Sequence, residues 1–362
     1  MKTVFLWAKG VDNVLLGKPK VAGVPLQMSM WAKAFLEKGW RVQSISSRIG
    51  EYIVDDVRFV QIPHCSPRWV KLHLGFVGEI IESYKFLKKI KPDMVFTRAM
   101  TPDLLTLAIC AKFLKFRFVF FGASDEDFLP REKSRWNFNH GLNRYYRESL
   151  KMVNYIVTQN SFQAETLKQY YGRDSLIIPN VWSLGVSESD IKEYDVIWVG
   201  NLRRLKRAEW LLELARLMPQ CRFAIVGGVA EQDYYDEIKS ESDTLNNLVF
   251  RGACNLQKTN ELISRSKVLT CTSEFEGFPN TFLQAWSYNV PVISTVDPSN
   301  VIKEHNLGSF VINKDDFFSS VNTLLSDDKG YKEKVESIKK YFQSNHSAGI
   351  QLEKLLSWIS KK

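Results

Sequence analysis

The stretch Glu276-Gly277-Phe278-Pro279-Asn280-Thr281-Phe282-Leu283-Gln284-Ala285 sets an acid, a glycine and a proline just beyond the apolar run Val268-Leu269-Thr270-Cys271. An apolar strand would end there in a turn. Pro279 suits the first position of a helix, where its missing N–H would have had no partner anyway. The pattern predicts a helix over 281–288 whose N-terminus points back at the strand end. Free backbone N–H groups and the helix dipole make such a point attractive to anions, phosphate above all. Gly277, Phe278, Pro279, Asn280 and Thr281 would surround that anion. The Glu276 carboxylate would repel a phosphate, but it accepts hydrogen bonds from sugar hydroxyls. An anion site beside a hydroxyl reader suits a sugar nucleotide. The same residues also fit an ordinary strand-to-helix turn with a surface acid.

Other positions offer matching chemistry. Val199-Gly200-Asn201-Leu202-Arg203-Arg204-Leu205-Lys206 sits between a strand pattern and a helix pattern. Gly200 permits a tight turn, and Arg203, Arg204 and Lys206 can neutralise a departing diphosphate. A solvated basic loop is the plainer reading. Gly23, in Ala22-Gly23-Val24-Pro25, opens a helix and could approach a phosphate or a sugar. Gly227, in Ile225-Val226-Gly227-Gly228, could let a nucleoside or a neighbouring loop lie close. Ser124-Asp125-Glu126-Asp127 follows a strand, so Asp125 could bind an acceptor or act as a base, or simply cap a turn.

These residues need a scaffold, and the hydrophobic pattern supplies one. Strands are expected over 3–8, 41–47, 94–97, 118–121, 155–159 and 176–178, with a short inserted pair over 51–63. Helices are expected between them over 26–38, 76–90, 102–113, 141–153 and 161–171. The polar stretch 183–193 breaks the rhythm and reads as a linker. Strands then recur over 195–199, 222–226, 248–251, 268–271, 292–294 and 309–312. The matching helices fall over 207–217, 232–240, 259–266, 281–288, 317–325 and 332–342, and a last amphipathic one over 348–360. Such alternation argues for parallel sheets with helices on both faces. The fold class is therefore α/β, with two doubly wound Rossmann-like domains, an N-terminal one over 1–185 and a C-terminal one over 186–345. Ligands in such sheets bind outside the carboxyl ends of the strands, so two facing domains would make a cleft.

Composition agrees with a globular protein: 362 residues, 45% hydrophobic and 25% charged. The first residues are too brief an apolar run for a signal peptide and fit a strand. Cys65, Cys110, Cys221, Cys254 and Cys271 lack metal-ligand spacing and read as reduced thiols of a cytosolic protein. A net charge of +9 favours an anionic partner. Nucleic acid fits poorly, because no recognised module is present and the basic residues form no continuous tract. Lys85, Lys88, Lys89 and Lys91, Arg68 and Lys71 with Trp69, and Lys112, Lys115 and Arg117 with Phe113 mix cations with aromatics. That mixture suits an anionic membrane surface. An ordinary solvated basic face is the other reading.

Taken together, the whole chain resembles the family-4 glycosyltransferases (glycosyl transferases group 1), two-domain enzymes of the GT-B fold. The likeness runs from Ala22-Gly23 through Ile178-Pro179-Asn180 and Val199-Gly200-Asn201-Leu202 with Lys206 to Glu276-Gly277-Phe278-Pro279-Asn280. Ala285 and Pro291-Val292-Ile293 continue it. The resemblance implies retaining transfer of a sugar from a nucleoside-diphosphate donor, with no metal or other cofactor. It assigns Glu276 to the donor sugar hydroxyls and Lys206 to the diphosphate. Donor binding would belong to the C-terminal domain and acceptor binding to the N-terminal one, which a final helix over 346–362 would complete. The acceptor would be a glycan or a lipid-linked saccharide, in cell-envelope polysaccharide synthesis. The enzyme would be cytoplasmic or peripheral on the inner face of the membrane.

The chain departs from the family pattern in places. Gln284 stands where a second glutamate usually binds ribose, and Asn201 stands where an arginine is frequent, leaving Arg203 or Arg204 to substitute. No histidine matches the one common in the first domain, where Gly122-Ala123-Ser124-Asp125 stands instead. Gln284 and Asn201 keep open a non-catalytic GT-B protein that binds a glycan or a partner. A GT-B sugar-nucleotide epimerase is the enzymatic alternative.

Overall fold

A computed structural model describes residues 1–18, 22–62, 75–130, 147–182, 191–274, 276 and 278–361. Gly277, the segment carrying Cys65, Arg68, Trp69 and Lys71, and the opening of the helix expected over 141–153 lie outside the described residues. The chain divides into two compact units. One comprises Met1–Leu16, Ala22–Ser183 and Ala348–Lys362; the other comprises Gly17–Val21 and Leu184–Ser347.

In the first unit the strands are β1 (Thr3–Trp7), β2 (Arg41–Ile45), β3 (Tyr52–Val54), β4 (Val57–Val60), β5 (Met94–Arg98), β6 (Arg117–Phe121), β7 (Tyr155–Thr158) and β8 (Leu176–Ile177). They form one sheet in the order β3-β4-β2-β1-β5-β6-β7-β8. Only β3 runs antiparallel to its neighbour, β4. The central strands are mostly apolar and buried, as Phe5, Phe96, Phe118 and Phe120 show, although β6 opens on exposed Arg117. A strand covered by helices on both faces needs such a run rather than alternation. Trp31, on helix Gly23–Glu37, packs against Phe96 and Phe121 with ring centres 5.4 and 5.7 Å apart. Leu87, Leu104 and Leu107, from helices Gly75–Ile90 and Asp103–Leu114, join the core with Phe5, Phe118 and Phe120. The final helix, Ala348–Ser360, packs on helix Gly23–Glu37 through buried Leu352, Leu355 and Ile359.

The second unit holds β9 (Tyr194–Val199), β10 (Phe223–Val226), β11 (Leu248–Phe250), β12 (Ser266–Cys271), β13 (Val292–Ser294) and β14 (Gly308–Phe310), all parallel, in the order β11-β10-β9-β12-β13-β14. The chain builds outward from β9 on one side and from β12 on the other. The loops after β9 and β12 therefore diverge and leave a crevice at the carboxyl edge. The sequence places its Gly200–Lys206 and Glu276 motifs on those loops.

Several details differ from expectation: Ser266, expected to end a helix, begins β12, helix Gly23–Glu37 starts before residue 26, and helix Val301–Glu304 has no counterpart in the sequence reading. Helix Val11–Leu15 has no counterpart in the sequence reading, because five residues are too few to show a period. Helix Asp328–His346 is longer at both ends than the expected 332–342, since the Asp327 carboxylate accepts the Gly330 N–H (2.9 Å) and starts it early.

Candidate active site

The two loops at the β9–β12 crevice are laced together. Trp198, near the end of β9, donates its indole N–H to the Thr272 hydroxyl at 3.0 Å. That hydroxyl lies 2.7 and 2.8 Å from the Lys206 and Arg207 carbonyl oxygens. Arg207 returns its Nε–H to the Thr272 carbonyl at 2.6 Å and takes a left-handed backbone, φ 49°. The Glu274 N–H donates to the Leu205 carbonyl at 3.0 Å. The basic loop and the acidic loop thus hold a single shape.

Within that shape the Lys206 ammonium donates to Glu276 Oε1, and the Ser273 hydroxyl donates to the same oxygen at 3.1 Å. The two side chains are 15% and 21% exposed, so water screens their attraction only partly. Burial pushes the Lys206 ammonium below the ordinary lysine range, and the nearby Arg203 guanidinium adds to that push. The residues that the sequence assigned to a diphosphate and to a sugar therefore satisfy each other here.

Pro279 precedes helix Asn280–Ser287, and no side chain among the described residues caps that helix. Elsewhere Asn160, Asn255 and Asn313 each cap a helix through a side-chain oxygen. The Thr281 N–H, in the first turn, has no acceptor within the helix. Helix Gly23–Glu37 in the first unit likewise begins at Gly23 with no side-chain cap.

The remaining candidates divide. Arg203 is exposed and in no ion pair among the described residues, whereas Arg204 donates to Glu237 at 2.9 Å and lies over the Tyr234 ring. The two arginines, equivalent in sequence, are not equivalent in space. Asn201 is exposed at the loop tip. Gly227 is buried, and a Cβ there would fall 2.2 Å from the Gly200 carbonyl oxygen. Its glycine serves the close approach of the β9 and β10 loops. The Phe278 ring packs edge-on against Phe282 and Trp286, so that side chain belongs to the apolar layer beneath the site. Gln284 is buried and donates its amide N–H to Asn260 Oδ1 at 2.9 Å, tying helix Leu256–Ser264 to helix Asn280–Ser287.

In the first unit, Asp125 Oδ1 accepts from Gln163 Nε2 at 2.9 Å. Its neighbour Asp127 is buried and accepts the N–H groups of Ala123 (2.6 Å), Ser124 (3.1 Å) and Met100 (3.1 Å), so it organises the loops after β5 and β6. Burial pushes the Asp127 carboxyl up, against those N–H groups and the Arg98 guanidinium. Sequence reasoning passed over Thr272, Ser273 and Arg207. Hydroxyls directly after an apolar strand were the readable signal for the first two.

Among the described residues, no group of three or more His, Cys, Asp or Glu is arranged to hold a metal ion. Two family models match the chain: Glycosyltransferase Family 4 over residues 21–184 and Glycosyl transferases group 1 over residues 193–327. The chain belongs to these glycosyltransferases. It is 24% identical over 157 residues to Glycosyltransferase 1 domain-containing protein 1 of Xenopus tropicalis, a match covering 42% of this chain and 46% of that one. It is 25% identical over 178 residues to the alpha-galactosylglucosyldiacylglycerol synthase of Streptococcus pneumoniae, covering 47% and 46%. Each match thus spans less than half of the curated relative's length. Among solved structures, sucrose-phosphate synthase from Thermosynechococcus elongatus superposes with a TM-score of 0.74 at 13% identity over the whole of both chains. A glycosyltransferase from Rickettsia africae gives 0.70 at 16% identity, over 99% of this glycosyltransferase and 98% of that chain. The fold is GT-B.

Proposed function

We propose that this glycosyltransferase moves a sugar, with retention at the anomeric carbon and without a metal, from a nucleoside diphosphate to a glycan or lipid-linked acceptor. The observation that carries the reading is the Lys206–Glu276 pair, held at the β9–β12 crevice beside an uncapped helix start. A donor would separate the pair. The diphosphate would take Lys206, Arg203 and the Thr281 N–H, while a hydroxyl of the sugar would donate to Glu276. Gln284, fixed through its nitrogen by Asn260, keeps its carbonyl oxygen for a ribose hydroxyl.

As the bond from the anomeric carbon to the diphosphate breaks, negative charge grows on the leaving oxygen and positive charge on the ring. Donors already aimed at that oxygen stabilise the transition state without reorganising. The acceptor hydroxyl attacks the face that the diphosphate leaves, and the leaving phosphate oxygen takes its proton. Asp125, held by Gln163, is the carboxylate of the first unit that could orient the acceptor. The pneumococcal relative's name places a related chain on a glycolipid, which favours an envelope saccharide as acceptor and a membrane face as the place of work.

The test is a screen of nucleoside-diphosphate sugars, with chelator present, for transfer to saccharide and glycolipid acceptors, with the product anomer read by NMR. Transfer with retained configuration is expected. An inverted product would overturn the mechanism, and interconversion of the donor sugar without an acceptor would identify an epimerase.

A further inference from the structure

The second unit carries a cavity of about 300 Å³ at the margin of its sheet, apart from the crevice. It lies between edge strand β14, helix Lys314–Ser326 and helix Asp328–His346. β14 stands two strands from β12, about 10 Å across the sheet. Asn306 borders the cavity and comes just before β14. Asp327 also borders it, just after the helix that runs back from the far end of that strand. The cavity thus lies toward the amino ends of the strands, while the Lys206–Glu276 pair stands at their carboxyl ends.

Its walls are polar. Ser309, Ser319, Ser320 and Thr323 bring hydroxyls, none with a hydrogen-bond partner among the described residues. Hydroxyls on other helices return to their own backbone: Ser242 donates to the Ile238 carbonyl at 2.6 Å, Thr259 to that of Asn255 at 2.9 Å and Ser337 to that of Glu333 at 3.0 Å. That bond is open to any helical serine or threonine, and Ser319, Ser320 and Thr323 leave it unmade.

Asp327 Oδ1 accepts the Gly330 N–H at 2.9 Å, and no described group donates to Oδ2. Glu333 is in no ion pair among the described residues. Lys334 donates to Asn306 Oδ1 at 2.6 Å. Burial pushes its ammonium below the ordinary lysine range, against the pull of the Glu333 and Asp327 carboxylates. Leu324 adds an apolar wall. Two carboxylates repel a phosphate, and Lys334 repels a metal ion. A hydroxyl suits every group present, because it donates to a carboxylate and accepts from an ammonium or a serine. A ring that carries several hydroxyls on a C–H framework meets the polar walls and Leu324 together.

We propose that this cavity binds a neutral saccharide unit outside the crevice, through the Asp327 and Glu333 carboxylates and the hydroxyls of helix Lys314–Ser326. The proposal goes beyond the transferase reading and does not rest on it.

Calorimetric titration of the full chain tests it, with methyl α-glucoside, methyl α-galactoside and N-acetylglucosamine as probes and glucose 6-phosphate as the anionic comparison. Saturable binding of at least one neutral probe is expected, about tenfold tighter than that of glucose 6-phosphate. Glu333→Gln keeps the shape, removes the charge and should weaken binding about tenfold. The double variant Ser319→Leu, Thr323→Leu fills the space with apolar carbon and should weaken it on the order of thirtyfold. Glu336→Gln on the same helix and Glu276→Ala at the crevice should each stay within about twofold of wild type. Ser319, Thr323, Glu333 and Glu336 are exposed, so variants there should melt with the wild type. Binding of no neutral probe, equally tight binding of glucose 6-phosphate, or equal losses in Glu336→Gln and Glu333→Gln would overturn the proposal. So would binding that Glu276→Ala removes and Glu333→Gln leaves, which would put the sugar in the crevice.

Discussion

Lys206 and Glu276 neutralise each other before any ligand arrives, and that decides what their substitutions do. Lys206→Ala removes a donor aimed at the leaving diphosphate and should lower kcat by about 10²–10³. The melting temperature should move little, because a partly solvated pair contributes only about 1 kcal/mol. Steady-state kinetics and a thermal melt check both, and wild-type turnover would remove Lys206 from the mechanism. Glu276→Gln should act in two directions. It frees the ammonium, so a nucleoside diphosphate binds several-fold tighter by calorimetry, while sugar transfer falls. Weaker nucleotide binding would show that the pair does not restrain Lys206. Both residues were legible because the motif lies within short stretches of sequence. The split between Arg203 and Arg204 was not, because it depends on Glu237, set beside the loop by a helix that only the fold brings there. Burial hid the Gln284–Asn260 bond in the same way, since neither partner's sequence surroundings name the other.

The elements do their work through the loops at their carboxyl ends, and those loops are stiffened by particular backbone approaches. Gly227→Ala would drive a Cβ to 2.2 Å from the Gly200 oxygen, a backbone atom that cannot swing aside. The loop after β9 should shift, stability should fall by about 2–3 kcal/mol, and nucleotide affinity should fall with it. A denaturant titration with a binding isotherm checks both, and full affinity in a destabilised protein would mean that the loop holds its shape without this contact. In the first unit, Asp127→Ala orphans the Ala123, Ser124 and Met100 N–H groups and leaves the buried Arg98 guanidinium uncompensated. It should cost about 3–5 kcal/mol; a loss under 1 kcal/mol by denaturant titration would mean water replaces the carboxylate. The main strands could be read from sequence because buried parallel strands are short continuous apolar runs bounded by polar turns. The order of the strands could not, since β9 and β12 meet through pairing across some seventy residues. The crevice at their divergence is a property of that order.

At the scale of the molecule, full-length superposition at 13% and 16% identity means the fold rests on pattern and volume rather than on particular residues. The residues proposed to hold the donor lie in the second unit, which contains Lys206, Arg203, Glu276, the start of helix Asn280–Ser287 and Gln284. Nucleotide binding should therefore stabilise that unit in particular. A ligand at a hundredfold excess over its Kd adds about 2.7 kcal/mol to the state that binds it. For a unit of this size that raises its transition by roughly 5–10 °C. Differential scanning calorimetry with a panel of nucleoside diphosphates should show one base that produces this shift. Asp125→Asn, in the other unit, should leave the shift intact while lowering transfer, because it concerns the acceptor. Lys206→Ala should remove most of the shift. If no nucleoside diphosphate moves any transition, the crevice does not hold a diphosphate, and the pairing of Lys206 with Glu276 is then a structural clasp between two loops.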